Sequence, residues 1–370
     1  MTSRSLLLTP GPVPIPEPVR EVLAEPIFHH RTPRFRKIML VVSERLRKVF
    51  RTECPVYTIA GSGSSGMEAA VANFHSEGDA VLVLDTGKFG ERFAEIAQAY
   101  GLRPIVVKSE WGQSVDVEAV RTLLIQNPGI KSVFAQLCET STGVVNDIEA
   151  LGKIVRQTPA LLIVDAIAGL CADRLETDAW GVDVVIAGSQ KAMMLPPGLA
   201  FISESAKAKK RREEARLPRY YFDLARYEKS LAAGDTPFTP ATGLVCAAEK
   251  ALELILAEKL ENIWWRCRKL GEYSRERLTG LGLRPFAKSP SSALTAALFP
   301  RGADGSKVLE ILREEKNVTF AGGQDALKGR LLRAAHMGSI TRQDLEEGFQ
   351  ALEEVLAGTR SDQLVSTSPY

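Results

Sequence analysis

Seven apolar runs of strand length follow one another at Val56–Ala60, Ala80–Asp85, Pro104–Lys108, Ser132–Leu137, Leu161–Asp165, Val182–Ala187 and Leu199–Ser203. Between most of them lie helix-length segments that mix polar and apolar residues. This alternation leaves few folds open. A run such as Leu161-Leu162-Ile163-Val164 has no polar face, so it needs cover on both sides of its sheet, as parallel sheets have. Strands joined through helices return to one sheet by right-handed crossovers. The pattern therefore predicts an α/β fold: a mostly parallel seven-stranded sheet with helices on both faces. Upstream, Arg34 to Phe50 is an amphipathic helix with Phe35, Ile38, Met39, Val42, Leu46 and Val49 on one side.

A chain of 370 residues outgrows a single core, so a second unit is expected. From about Gly243 a long helical pattern rich in Leu, Ile and Trp runs to Leu278 and reads as a connector. Beyond it come a strand at Ala293–Phe299, a helix at Ser306–Lys316, a strand at Leu331–His336 and a last helix. That helix opens on the capping-box-like Thr341-Arg342-Gln343-Asp344 and runs to Ala357, which completes a small α+β unit. The resulting division is an N-terminal arm (1–20), a large α/β domain (21–250), a small C-terminal α+β domain (251–358) and a flexible polar tail (359–370).

Composition excludes several classes of function. With 45% hydrophobic residues, 25% charged and a net charge of +2, nothing points to nucleic acid or a membrane. The basic run Ala206–Glu214 contains its own glutamates and no aromatic residue, so it reads as a solvated helix. Five scattered cysteines suit reduced thiols in a cytoplasm rather than a disulfide framework. The apolar stretch Leu6-Leu7-Leu8 is too short for a signal peptide or a span. His29, His30, His75 and His336 lack metal-ligand spacing.

In open parallel sheets, ligands bind beyond the carboxyl ends of the strands. Two strands end there in charged groups, Asp165 and, through Gly188-Ser189-Gln190, Lys191. Pro196-Pro197-Gly198 prevents a helix from following that lysine. A lysine held at a buried strand end loses amine basicity and becomes a nucleophile fit for Schiff-base chemistry, unless it is an ordinary surface lysine. Asp165 suits a pyridinium partner, or else simply caps the next turn. The third element, Gly61-Ser62-Gly63-Ser64-Ser65-Gly66, follows a strand and opens a helix, which makes an anion site. It also satisfies G-x-G-x-x-G with Asp85 about 20 residues on, as a dinucleotide fingerprint does. That rival leaves Lys191 unexplained.

Together these residues resemble the class V aminotransferases of fold type I, nearest the alanine–glyoxylate and serine–glyoxylate (serine–pyruvate) group. The resemblance spans nearly the whole chain. It rests on Leu8-Thr9-Pro10-Gly11-Pro12, the Gly61–Glu68 loop, Glu139-Thr140-Ser141-Thr142-Gly143, Val164-Asp165, Gly188-Ser189-Gln190-Lys191, Pro196-Pro197-Gly198, Thr236-Pro237-Phe238-Thr239-Pro240 and Leu332-Arg333-Ala334-Ala335-His336-Met337-Gly338.

The resemblance implies pyridoxal 5′-phosphate as cofactor, carried by Lys191, with Asp165 on the ring nitrogen and Ser141 on the ring hydroxyl. Ile167 would lie against one ring face and Phe89 over the other, where relatives often place Trp. Gly63, Ser64, Ser65 and Gln190 would hold the phosphate, and Thr239 would reach it from a second subunit of a homodimer. Arg333 would clamp the substrate carboxylate, with Gly11 also at the substrate site, although relatives often read Arg-Ile-Gly where this chain has Arg333-Ala334-Ala335. The implied reaction moves an amino group from alanine or serine to glyoxylate or pyruvate by a ping-pong mechanism. Alternatives are 2-aminoethylphosphonate–pyruvate transamination, a nicotinamide-dependent dehydrogenase using the 61–85 fingerprint, and a non-catalytic binding protein on an aminotransferase scaffold.

Overall fold

The computed structural model describes residues 5–366, and for 359–366 the backbone alone. Met1–Arg4 and the last four residues of the expected tail lie outside the described residues. All seven expected strands form one sheet, with ends displaced by a residue or two. Its order is Val56–Ala60, Leu199–Glu204, Val184–Gly188, Leu161–Asp165, Ser132–Gln136, Ala80–Asp85, Arg103–Lys108. Only Leu199–Glu204 runs against the rest. Its link from Val184–Gly188 is the turn 189–198, too short for the crossover that a parallel return requires.

The unbroken apolar runs follow from cover on both faces. Phe134, Ile163 and Ile186 meet Met67, Ala70 and Phe93 on one side. Val133, Val164 and Val185 belong to the opposite core with Met39, Leu46, Leu151 and Ala248. The helix Gly63–Phe74 sits close to the sheet because its contact residues are small: a β-carbon on Gly66 would lie 2.6 Å from Ile186 Cγ2. At the exposed edge, Arg103 and Lys108 flank the strand and discourage further pairing.

The second sheet is antiparallel, in the order Arg284–Pro285, Leu294–Leu298, Leu331–Ala335, Ala321–Gly322. Its two-residue strands are too short for periodicity to show. The helical pattern from Gly243 to Leu278 is not one connector but two helices, Thr242–Glu258 and Leu260–Gly280. They break at Lys259, whose φ is +72°, and no glycine or proline marks the place. The capping box forms as expected, with Thr341 N donating to Asp344 Oδ2 and Asp344 N to Thr341 Oγ1. The last helix, however, continues past Ala357 to Ser366, since no proline occurs before Pro369.

The N-terminal segment binds the two sheets together. Leu6–Leu7 forms a small separate sheet with Val318–Thr319, Leu8 O accepts from Ala335 N of the second sheet (2.8 Å), and Val13 N donates to Gln190 O beyond the first. Between these anchors the chain passes directly over Lys191.

Candidate active site

Lys191 stands in a turn that its neighbours pin. Ser189 Oγ donates to Pro196 O (2.7 Å) and accepts from Leu199 N (3.1 Å), which ties both ends of the turn to the strand. Lys191 Nζ donates to Pro10 O at 2.5 Å. Gly11, with φ +132°, lies so close that a β-carbon there would fall 2.6 Å from Lys191 Cδ and Cε. Only glycine fits both the backbone and the space. Burial pulls the amine down to about 8, and Arg333 and Arg92 push the same way against Cys138 and Asp165.

Asp165 ends the middle strand, opposite Gln136 and Ile186 on its neighbours. Burial pushes its carboxyl up to about 7, against one hydrogen bond from Ile167 N (2.8 Å). Asp165 and Lys191 face one cavity of about 330 Å³. Its corner is the start of the helix Gly63–Phe74, where Gly63, Ser64 and the N-cap Ser62 line the space with Gln190. Ser62 makes no side-chain cap, and Gln190 Oε1 is buried without a hydrogen-bond partner among the described residues. Ser65 is turned away: its amide and its hydroxyl both donate to Ser62 O, at 2.8 and 2.7 Å.

Two apolar side chains complete the walls. Ile167 rests over Gly63, where a β-carbon would come within 2.5 Å of its Cδ1. Phe89 opens the helix Lys88–Ala99 and lines the cavity. Buried Glu139 holds that opening, accepting from Phe89 N (3.0 Å), Gly90 N (3.2 Å), Ser141 N (3.0 Å) and Ser141 Oγ (2.6 Å). A carboxylate is favoured there by the free amides of the helix start. Burial raises its pKa while those hydrogen bonds oppose the rise.

The same arrangement places Ser141 behind the wall. Its hydroxyl is committed to Glu139 and to Lys88 N (3.0 Å), and the residues of that turn that do line the cavity are Thr140 and Cys138. Arg333, from Leu331–Ala335, ties the second sheet to the turn that follows Ser132–Gln136, donating through Nε to Gly322 O (2.9 Å) and through Nη1 to Thr140 O (3.0 Å). Thr239 is not brought to Lys191 within one chain. It lines a separate hollow with Tyr221 and Phe238, whose rings stack at 4.7 Å.

Sequence reasoning missed Arg92, Thr140 and Glu139. Arg92 also lines the cavity, with its guanidinium 4.7 Å from the Phe89 ring centroid and Nη1 3.3 Å from Ser64 Oγ. Its spacing of three residues from Phe89 on a helix was the available signal.

Residues 22–345 match the family model for the class-V aminotransferases. One curated relative, named "Soluble hydrogenase, small subunit" in Synechococcus sp., is 39% identical over 362 residues, 96% of this chain and 94% of the relative. Another, the L-aspartate–glyoxylate aminotransferase of Paracoccus denitrificans, is 34% identical over 96% of this chain and 92% of the relative. Among solved structures, the alanine–glyoxylate aminotransferase from Nostoc sp. superposes with a TM-score of 0.91 at 32% identity, covering 96% of each chain.

Proposed function

We infer the reaction from one premise: the chain belongs to the class V aminotransferases. Its fold is that of the fold type I pyridoxal phosphate transferases, and pyridoxal 5′-phosphate is the cofactor. The cavity fits that group on its own evidence. It has an amine whose hold on its proton is weakened, a carboxyl whose charge lacks an ionic partner, an uncapped helix start, and Gln190, whose side-chain oxygen has no hydrogen-bond partner among the described residues. When bound, the ring acts as an electron sink for charge developing on the substrate α-carbon.

The observation that carries the reading is the opposed displacement of Lys191 and Asp165 in one cavity. At pH 7 an amine with a pKa of about 8 is neutral in about one molecule in ten, against about one in 3,000 at its ordinary value of 10.5. Lys191 Nζ is thus ready to attach the cofactor and, once released, to carry a proton to and from the substrate α-carbon. Asp165 would pair with the ring nitrogen of the cofactor, whose positive charge would keep the carboxylate ionised. Gly63, Ser64 and Gln190 would hold the phosphate and Ile167 and Phe89 would flank the ring, while Ser65 braces the loop from behind. Thr140 takes the place expected of Ser141 at the ring hydroxyl. Arg333, braced by two carbonyls and outside the lining of that cavity, would offer its remaining N–H groups to the substrate carboxylate.

For substrates, the reading is transfer from alanine or serine to glyoxylate or pyruvate in two half-reactions, catalysed by a homodimer in which Thr239 serves the partner's phosphate. Glyoxylate occurs in both aminotransferase relatives named above, whereas their donors differ, aspartate in one and alanine in the other. The acceptor is therefore the better supported half. A donor panel tests the rest: alanine and serine should bleach the visible cofactor band, and glyoxylate should restore it. A response to aspartate alone, or to 2-aminoethylphosphonate alone, would sink the donor assignment and leave the cofactor chemistry intact.

A further inference from the structure

We propose that Arg92 is a phosphate ligand of this site, an inference that rests on the cofactor reading above. The corner formed by Ser62, Gly63, Ser64 and Gln190 offers only neutral donors and the helix start. A helix start is equivalent to about half a positive charge, whereas a phosphate monoester carries about −1.5 to −2 near neutral pH. The corner by itself leaves most of that charge unmatched.

Arg92 is the cation positioned to match it. Its guanidinium lines the same cavity and bonds Ser64 Oγ through Nη1 at 3.3 Å, at the second residue of the helix. The cavity's other cation, Lys191, is held at Pro10 O. Among the described residues Arg92 has no carboxylate within ion-pair distance, and it meets a neutral hydroxyl and the Phe89 ring at 4.7 Å. Arg92 is half-buried and keeps its charge at every working pH, so a fork with no carboxylate partner is open to an anion in the cavity. The planar fork bonds phosphate oxygens while its face stays on an aromatic ring, which lysine cannot imitate. Arg92 thereby couples two parts of the site: the group that binds the phosphate also sets the position of the side chain that covers the ring.

The test separates this role from two others by pairing a change in the protein with a change in the cofactor. Dissociation constants of pyridoxal 5′-phosphate and of pyridoxal, which lacks the phosphate, are measured by titration of apoprotein for wild type, Arg92→Ala and Arg92→Lys. Arg92→Ala should raise the pyridoxal phosphate constant about 10- to 100-fold and the pyridoxal constant less than about threefold. Arg92→Lys should fall between, because it keeps the charge and loses the fork. Circular dichroism checks that each variant folds, and Arg92→Lys alone suffices if the alanine variant does not. An equal rise for both cofactors would overturn the proposal and leave Arg92 as a support for Phe89. Unchanged cofactor constants with a raised KM for a dicarboxylic donor would overturn it in favour of a substrate contact. Wild-type protein that failed to retain pyridoxal phosphate would defeat the underlying reading as well.

Discussion

Lys191 and Arg333 are both buried cations within electrostatic reach of each other, yet the two sheets treat them in opposite ways. At the end of the seven-stranded sheet, Lys191 Nζ has one acceptor, Pro10 O, and burial draws it down to about 8. In the four-stranded sheet, burial also lowers Arg333, but its guanidinium is held by the carbonyls of Gly322 and Thr140. An ammonium answers desolvation by releasing its proton; a guanidinium does not and needs acceptors. One sheet therefore supplies a group that titrates near working pH, and the other a permanent charge in fixed orientation.

The largest way to break this comparison is Lys191→Met, which keeps the bulk and removes the amine. Steady-state transamination should fall by roughly 10⁴ or more, since both attachment and proton transfer depend on Nζ. The apoprotein should become more stable. The folded-state pKa of Lys191, about 8, lies below the ordinary 10.5, so burying the charged form costs stability at every pH below 8. That cost declines between pH 8 and 10.5 and disappears above. Urea unfolding of apoprotein at pH 7 should favour the variant by roughly 2–3 kcal/mol, with the gap closing as pH rises. A variant no more stable than wild type at pH 7 would show that the amine is not desolvated.

Arg333→Lys sharpens the contrast by placing a titratable cation where the permanent one stands. The ammonium cannot span Gly322 O, Thr140 O and a carboxylate together, so kcat/KM for the donor should drop about 10- to 100-fold. Its KM should also acquire a new dependence on pH, rising in alkali as the buried lysine loses its charge. A KM that is as insensitive to pH as that of wild type would mean that residue 333 does not meet the substrate carboxylate.

The same contrast explains what was legible in the sequence. Lys191 and Asp165 could be located because unbroken apolar strands end in them, and strand ends in a parallel sheet have one predictable use. Arg333 was visible as a charge inside an apolar run. Ser65 and Ser141 were not separable from their neighbours, because which hydroxyl of a serine-rich turn faces the cavity depends on single backbone rotations. Ser141 was taken up by Glu139, a buried acid whose own purpose is to hold the start of the helix bearing Phe89. Thr140 and Arg92 were hidden for a related reason: their contacts join segments far apart in sequence, such as Arg92 with Ser64. The break at Lys259 has no compositional signal at all.

The smallest expected effect concerns Thr239, which belongs to neither group of the comparison. Within one chain it lines a hollow beside Tyr221 and Phe238 rather than the cavity of Lys191, and Tyr220 next to that hollow is 67% exposed. The Thr239 hydroxyl makes no hydrogen bond among the described residues, which leaves it free for the role proposed above. If Thr239 completes the partner's phosphate site, Thr239→Ala should weaken cofactor retention by roughly 1–2 kcal/mol, the value of one hydrogen bond to a charged group. Gel filtration and cofactor release after dilution measure the two halves of this statement separately. Release should quicken about five- to thirtyfold while the dimer persists, since one surface hydroxyl contributes little to an interface. A wild-type protein that sediments as a fully active monomer would break the prediction at its root, because no second copy would then be present to lend the threonine.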